Sequence, residues 1–201
     1  IITFLTAPVS SLNRFCTFLL KMSPILFTSC AICILFSANI PNLAVEGAFF
    51  IGAIASTTVA VVEGIPPVLH FVLMALVGAA ASTAVLLIPA VLQQKFNANI
   101  MVTSLMLNYI CTYLGTWLIK GPLRDPGAGS DATYLVQGSA KLHKFINIGG
   151  STVHSGLLIG LAAVAVTWII LYKTNFGYEA RTVGANPNFS KFSGINVGKV
   201  V

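Results

Sequence analysis

Long apolar runs separated by short polar breaks dominate the chain. Four of them cover residues 43–62, 68–92, 100–119 and 155–172. A helix that crosses a bilayer needs about 20 apolar residues, so each run predicts a membrane helix. A shorter run over residues 25–38 follows Ser23-Pro24, and its roughly 14 residues fall short of a full crossing. The pattern therefore predicts about five membrane segments.

The residues before the run at 25–38 follow a different hydrophobic pattern. Apolar side chains recur at helical spacing, and polar side chains fall on the opposite face, which predicts an amphipathic helix that lies in the membrane interface and begins at Ser10 or Ser11. The apolar positions are Leu12, Phe15, Cys16, Leu19 and Leu20, and the polar ones are Asn13, Arg14, Thr17 and Lys21. The expected fold class is all-α, a polytopic membrane helix bundle. Residues 1–5 resemble the tail of an apolar segment, and another apolar run begins where the sequence ends at residues 198–201. We therefore expect residues 1–201 to form one transmembrane domain truncated at both ends.

Composition supports a membrane location and excludes a nucleic-acid function. Hydrophobic residues make up 56% of the chain and charged residues only 8%, whereas a soluble domain has about 25% charged residues. The 11 Lys and Arg residues give a net charge of +6. They are scattered over loops and helix ends and form no stripe that would follow phosphates. The charge bias between loops leaves the orientation in the membrane open.

A polar segment over residues 172–199 predicts a short helix outside the membrane. Asn186 can cap orphan amides, and Pro187 suits the first helical position, where no N–H is needed. Gly194 supplies the left-handed residue that commonly follows a helix. The helix between them has about two turns, too few to be stable alone in water, so we expect it to dock on a partner protein.

A second polar segment covers residues 120–154. It contains Gly121-Pro122 and a predicted turn at Asp125-Pro126-Gly127. A connection of this length in a compact domain usually has a function of its own or is partly disordered.

The break at residues 39–42 and the acidic residue after it form one candidate site. Glu46 lies in apolar sequence, and an acidic residue at the centre of a spanning helix costs about 2.5–3.5 kcal/mol, so such residues mark pathways or paired sites. Alternatively, Glu46 caps a helix end at the interface. The break is then either a plain turn or a helix broken inside the membrane against protein or a water-filled cavity. Both interpretations stay open.

Asn108 offers a second polar position in a membrane helix, with Thr103 and Ser104 about one turn earlier. Hydrogen bonding between helices is one interpretation and a substrate pathway is the other. The candidate pathway residues are Asn42, Glu46, Thr103 and Asn108.

The remaining reactive side chains do not form a catalytic or metal site. Cys30-x-x-Cys33 lies in an apolar helix with no His or acidic ligand nearby, which favours small core residues over a metal or redox site. His70 is expected at the interface, and His143 and His154 lack ligand spacing. No phosphate loop, catalytic triad or carboxylate pair is present. We therefore expect no metal, no cofactor and no ATP hydrolysis on this chain.

Four stretches, in matching order, carry a family resemblance. The chain resembles the permease subunits of bacterial ABC importers for nucleosides and simple sugars, a group related to the ribose and branched-chain amino-acid permeases. The likeness covers nearly the whole chain. The stretches are Asn42-Leu43-Ala44-Val45-Glu46-Gly47, then Thr103-Ser104-Leu105-Met106-Leu107-Asn108-Tyr109-Ile110, then Lys120-Gly121-Pro122-Leu123-Arg124-Asp125-Pro126, and finally Phe176-Gly177-Tyr178-Glu179-Ala180-Arg181 with Val183-Gly184, Asn186-Pro187 and Ser193-Gly194-Ile195-Asn196.

The resemblance implies a multi-pass protein of the bacterial cell membrane and a set of partners. These are a second permease subunit, cytoplasmic ATPase subunits and an extracytoplasmic substrate-binding protein. The segment 173–199 would be the cytoplasmic part that contacts the ATPase, and the loop 120–154 would face the binding protein outside. The residues that would form or frame the coupling helix are Glu179, Arg181, Gly184, Asn186, Pro187 and Gly194.

Two positions depart from the family pattern, and two other functions compete with it. Ala44 replaces a usual Gly and Ala48 a usual Gln in the first stretch, so backbone bend or substrate preference could differ. The outer loop after Asp125-Pro126 is also unlike the usual version.

The leading hypothesis is an importer permease without covalent chemistry. An ion-coupled secondary transporter would show inverted repeats with intramembrane acids in both halves. An intramembrane enzyme would need a nucleophile and base or metal ligands. The substrate stays open between a nucleoside and a simple sugar.

Overall fold

Seven α-helices account for most of the chain in this computed structural model, which describes residues 11–127, 129, 132–141, 144–148 and 151–196. Predictions for residues 1–5, 143 and 197–201 lie outside the described residues. Four helices are long and apolar enough to cross a membrane, and a fifth, shorter helix is also apolar. The helices are α1 (Leu12–Ser37), α2 (Val45–Ala60), α3 (Pro67–Phe96), α4 (Ile100–Lys120), α5 (Gly156–Lys173), α6 (Asn175–Ala185) and α7 (Pro187–Phe192).

The predicted fold class, a polytopic helical membrane protein, is confirmed. A small antiparallel hairpin adds to it, formed by β1 (Lys144–Ile148) and β2 (Ser151–His154) in the long polar segment. A 3-10 turn at Gly138–Ala140 precedes the hairpin. The turn predicted at Asp125-Pro126-Gly127 is present, because the Gly127 amide donates to Asp125 Oδ1 at 2.9 Å.

The prediction of a separate interfacial helix at the N-terminal end is wrong. Its residues form the first part of α1, which continues through Pro24 for 26 residues. Proline in a helix interior costs about 3 kcal/mol in water. Breaking a helix in lipid would leave further backbone groups unpaired, so Pro is tolerated there. The Thr28 hydroxyl lies one turn later and donates to the Ile25 carbonyl oxygen at 3.0 Å.

The described chain divides into two compact units. The central unit comprises residues 41–141 and contains α2, α3 and α4. The terminal unit comprises residues 1–40 and 142–201 and contains α1, the hairpin and α5 to α7. Each unit therefore has its own helix packing.

In the central unit α2 runs antiparallel to α3 at very short range. Ser82 Oγ donates to the Ala48 carbonyl oxygen and Ser56 Oγ donates to that of Met74, both at 3.0 Å. A Cβ on Gly52 or on Gly78 would collide with a serine side chain of the opposite helix. Small residues thus allow the close approach that helix pairs in membranes use.

At the other end of this pair, His70 holds the loop after α4. It was expected at the interface, yet its side chain is fully buried. The ring nitrogens lie 2.9 Å from Ser139 Oγ and 2.9 Å from the Val59 carbonyl oxygen. Gln137 N also donates to the Ala60 carbonyl oxygen at 3.1 Å. Two polar partners therefore compensate the burial of the ring.

In the terminal unit α1 and α5 run parallel. Gly160 of α5 lies beside Leu26 of α1, and Ser37 at the end of α1 lies near Leu171 and Tyr172 at the end of α5. The chain then turns sharply into α6. Thr174 caps that helix by accepting from the Gly177 amide at 3.2 Å.

Candidate functional site

The extended segment before α2 lies against α3 and α4 and has its polar groups paired. The Asn42 side chain is only 3% exposed. Its Oδ1 accepts from the Ala44 amide at 3.0 Å, and its Nδ2 donates to the Leu86 carbonyl oxygen at 3.4 Å. The Leu43 amide donates to Ser104 Oγ at 3.0 Å. Irregular backbone at membrane depth needs such compensation.

The position of Leu86 fixes where this break lies along α3. Leu86 is roughly three turns before the end of the helix at Phe96, which corresponds to about 15 Å. Asn42 therefore contacts the body of α3 and not its end. With 16 residues, α2 is shorter than a full span.

Glu46 and Asn108, predicted as separate candidates, form a pair. Asn108 Nδ2 donates to Glu46 Oε2 at 3.4 Å, and the Glu46 side chain is exposed. Gly47 makes the pair possible, since a Cβ at this position would lie 2.8 Å from Asn108 Oδ1 and 3.1 Å from Asn108 Cα. Asn108 Oδ1 is buried and has no hydrogen-bond partner.

Thr103 and Ser104 have different roles. Thr103 Oγ1 donates to the Asn99 and Ile100 carbonyl oxygens in the first turn of α4 at 3.0 and 3.2 Å, so its hydroxyl proton is used locally. Ser104 is fully buried and receives the Leu43 amide. Ser104 was noted in the sequence but was not among the site residues. Its spacing of four residues from Asn108 places both on one helix face, which is a signal that could have identified it.

The polar segment after α5 forms an elbow, which we define as α6 and α7. The predicted cap of α7 is confirmed. Asn186 Oδ1 accepts from the Asn188 and Phe189 amides at 3.0 and 3.1 Å, and Pro187 is the first helical residue. Gly194 has φ +81°, the left-handed conformation expected of it.

The rest of the elbow was not predicted. The α6 helix, which carries Glu179, Arg181 and Gly184, was not anticipated from the sequence. The Arg181 guanidinium carbon lies 4.7 Å from the centre of the Tyr172 ring, and its Nε donates to the Gly177 carbonyl oxygen at 3.3 Å. Glu179 is half-buried. Arg181 therefore ties α6 to the end of α5 through a cation–π contact.

Gly184 joins α6 to the end of α1. A Cβ on Gly184 would collide with the Ser37 carbonyl oxygen and would lie 3.1 Å from the Asn39 amide nitrogen. Its position therefore requires a residue without a side chain. The elbow thus contacts the C-terminal ends of both α1 and α5.

Two phenylalanines on α7 project outward. Phe189 is 60% exposed and Phe192 is 93% exposed. Their spacing of three residues places them on one side of the helix. A pair of exposed aromatic side chains on a two-turn helix is unusual for a surface that faces only water, and it suits contact with another protein. Sequence reasoning did not single out these residues.

The site offers hydrogen bonding and packing but no assembled catalytic centre. Within the described ranges, no group of three His, Cys, Asp or Glu side chains could hold a metal ion. The four cysteines are free thiols. What the two units present is a carboxylate–amide pair on α2 and α4, and the elbow after α5.

Comparison with known proteins gives a consistent picture. A family model described as "Branched-chain amino acid transport system / permease component" matches residues 14–201. A glucose ABC transporter permease protein of Haloferax volcanii is 31% identical over 192 residues, which cover 89% of this chain and 49% of the relative. A guanosine ABC transporter permease protein of Bacillus subtilis is 28% identical over 182 residues, covering 89% and 51%.

A third relative is a nucleoside ABC transporter permease protein of Lactococcus lactis. It is 27% identical over 189 residues, which cover 90% of this chain and 51% of the relative. The chain thus spans about half the length of these curated relatives. No solved structure matches it.

Proposed function

The chain belongs to the permease component family of the branched-chain amino acid transport system, and from this membership we propose that it is the membrane-spanning subunit of an ATP-driven importer. It is a multi-pass protein of the cell membrane. The solute it moves is a nucleoside or a simple sugar, as the names of its relatives suggest. A binding protein delivers that solute, and the chain itself performs no covalent chemistry.

The observation that carries the proposal is the elbow. A helix of six residues is not stable by itself, and α7 exposes Phe189 and Phe192 to whatever lies beyond it. In this scheme a separate subunit hydrolyses ATP, and that subunit docks on Phe189 and Phe192. The elbow then lies on the cytoplasmic side of the membrane.

The same elbow is placed to transmit motion. Gly184 lies against the backbone at the end of α1, and Arg181 stacks on Tyr172 at the end of α5. A displacement of α7 by a closing ATPase pair would move both helix ends together, because no compliant side chain separates Gly184 from Ser37. Rigid-body displacement of packed helices is a common way to switch between two states.

The Glu46–Asn108 pair is the proposed polar contact for the solute. Among the acidic residues that the structure describes, Glu46 is the one inside an apolar helix, and its side chain is exposed. A carboxylate beside an amide can accept hydrogen bonds from the hydroxyl groups that nucleosides and sugars share. Asn42 positions α2, whereas Thr103 is occupied by its own helix and contributes least.

The partners complete the assembly. We assign a second permease subunit, cytoplasmic ATPase subunits and an extracytoplasmic binding protein. In the central unit, Gln137 holds the loop after α4 against the turn between α2 and α3. The proposal makes this loop the face that the binding protein meets.

The energy source of uptake distinguishes this proposal from ion-coupled transport. In that alternative Glu46 would be the intramembrane acid that binds the coupling ion. Uptake of labelled guanosine and labelled glucose is measured in cells that express the chain with its neighbouring ATPase and receptor genes. Depleting ATP should abolish uptake, whereas a protonophore at constant ATP should leave it intact. Uptake that collapses with the proton gradient and survives ATP depletion would instead identify a secondary transporter.

A further inference from the structure

An open groove runs between α1 and α5 in the terminal unit. It has a volume of about 420 Å³. From α1 it is lined by Leu26, Cys30 and Cys33, and from α5 by Val164, Trp168 and Leu171. These residues recur every three or four positions, so each helix contributes one continuous and mainly apolar face.

The groove is long and narrow. Gly160 lies beside Leu26 near one end. Ser37 and Tyr172 line the other end. The distance along α1 from Leu26 to Ser37 corresponds to about 16 Å at 1.5 Å per residue. A slot of this shape between two membrane helices suits an extended hydrocarbon chain.

Two cations lie at the end marked by Tyr172. Lys173 Nζ is 5.8 Å from the centre of the Trp168 ring, and the Arg181 guanidinium carbon is 4.7 Å from that of Tyr172. Both aromatic rings are walls of the groove. In the part of the chain that the structure describes, no carboxylate forms an ion pair with either cation. Aromatic and basic side chains together at a helix end are typical of the membrane interface.

We propose that this groove binds an anionic phospholipid, with one acyl chain between α1 and α5 and the phosphate at Lys173 and Arg181. The shape accounts for the chain and the two cations for the negative headgroup. Each basic residue near an anionic lipid contributes about fivefold to its binding. The inference requires only that α1 and α5 lie in a membrane, so it stands apart from the importer proposal.

The cysteines in the groove provide a direct probe. The purified chain in detergent micelles is treated with a lipid-soluble maleimide, and modification of Cys33 is followed by mass spectrometry of its peptide. Phosphatidylglycerol or phosphatidylcholine of identical acyl composition is added at increasing mole fraction. With two cations at about fivefold each, phosphatidylglycerol should protect Cys33 at a mole fraction about 25-fold below that needed with phosphatidylcholine, and inorganic phosphate alone should not protect it.

Charge variants test the headgroup contact. Lys173→Gln should raise the protecting mole fraction of phosphatidylglycerol about fivefold and leave that of phosphatidylcholine unchanged. Lys141→Gln removes the same charge from an exposed position of the central unit, in the loop that precedes α5 in sequence, and should change neither value. Its unchanged behaviour also shows that one lost charge does not unfold the chain.

Three results would overturn the proposal. Equal protection of Cys33 by the two lipids would mean that the groove accepts any acyl chain without reading the headgroup. An unchanged phosphatidylglycerol value in Lys173→Gln would remove the assigned phosphate contact. Failure of Cys33 to react even without lipid, under conditions that modify it in the denatured chain, would mean that the groove is closed to water and to ligands.

Discussion

Gly184 of α6 lies against the carbonyl oxygen of Ser37, the last residue of α1, at a separation that leaves no space for a methyl group. A Cβ there would also be 3.1 Å from the carbonyl carbon of Ala38. The atoms it would meet belong to the backbone, which cannot rotate away as a side chain can. The contact therefore leaves no room for α6 to shift closer to the end of α1.

Substitution of Gly184 should reduce transport without reducing insertion of the protein into the membrane. Gly184→Ala forces α6 away from Ser37, and overpacking of this kind costs about 1–3 kcal/mol. Since about 1.4 kcal/mol corresponds to tenfold in a rate, uptake of the transported solute should fall by about fivefold to 150-fold if this cost falls on the transport step. Gly184→Pro and Arg181→Glu, which disturb the same elbow, should abolish uptake.

The control for these variants is the neighbouring position. Ala185 is exposed, so Ala185→Ser changes a side chain of the same helix without touching α1. All variants should reach the membrane in amounts similar to the wild type, as judged by quantitative immunoblots of membrane fractions. Normal uptake in Gly184→Ala at equal membrane amount would show that the contact transmits nothing.

Water access tests whether Glu46 and Asn108 line a pathway. In a background whose four native cysteines are alanine, Glu46→Cys and Asn108→Cys should react with a membrane-impermeant methanethiosulfonate, because the thiolate forms only where water reaches it. Met106 is the matched position. It is 62% exposed but lies two residues from Asn108, on the other side of α4.

The expected difference is large and is measured as a modification rate. Met106→Cys should react about tenfold or more slowly than Glu46→Cys, and added solute should slow only the pathway positions. If Glu46→Cys is as unreactive as Met106→Cys in a protein that is inserted in the membrane in wild-type amounts, the pair is a contact between helices and not a pathway.

His70 should govern how firmly the loop after α4 is held. His70→Ala removes two buried hydrogen bonds, and an unsatisfied buried polar group costs about 1–3 kcal/mol. Opening of the loop should become about tenfold more frequent, so trypsin should cleave after the exposed Lys141 correspondingly faster. Ser139→Ala, which removes one of the two bonds, should give a smaller increase.

Cleavage after Lys95, which lies outside this loop, serves as the internal reference. Its rate should stay the same in all these variants. A His70→Ala protein in which Lys141 is cleaved at the wild-type rate would show that the buried ring does not secure the loop.

Features of the fold that depend on a few neighbouring residues in the sequence were predictable. Features that depend on lipid or on tertiary packing were not. The bounds of α3, α4 and α5 follow from apolar run length, and the start of α7 follows from Asn186 and Pro187, because both signals act within a few residues. Pro24 misled the prediction of α1, since a rule measured in water fails where lipid penalises a broken helix. The α6 helix had a usable signal in the small residues that face its neighbours, with Thr174 as its cap.

The candidate site was predictable as a set of residue types but not as an arrangement. Glu46 and Asn108 are far apart in sequence, and their meeting depends on how α2 and α4 pack around Gly47. The burial of His70 depends on a loop that returns from after α4. Phe192 is exposed because none of the described elements packs on its side chain. None of these relationships has a local sequence signature.

The central claim is that α7 docks on an ATPase, and photocrosslinking tests it most directly. A photoreactive phenylalanine analogue replaces Phe192 in a transport-active assembly, and mass spectrometry identifies what it captures. The control replaces Leu135, which is 84% exposed but belongs to the loop after α4. The account predicts that Phe192 captures a subunit with a nucleotide-binding cassette and that Leu135 does not. An assembly that still transports, and in which Phe192 never captures such a subunit, would contradict it.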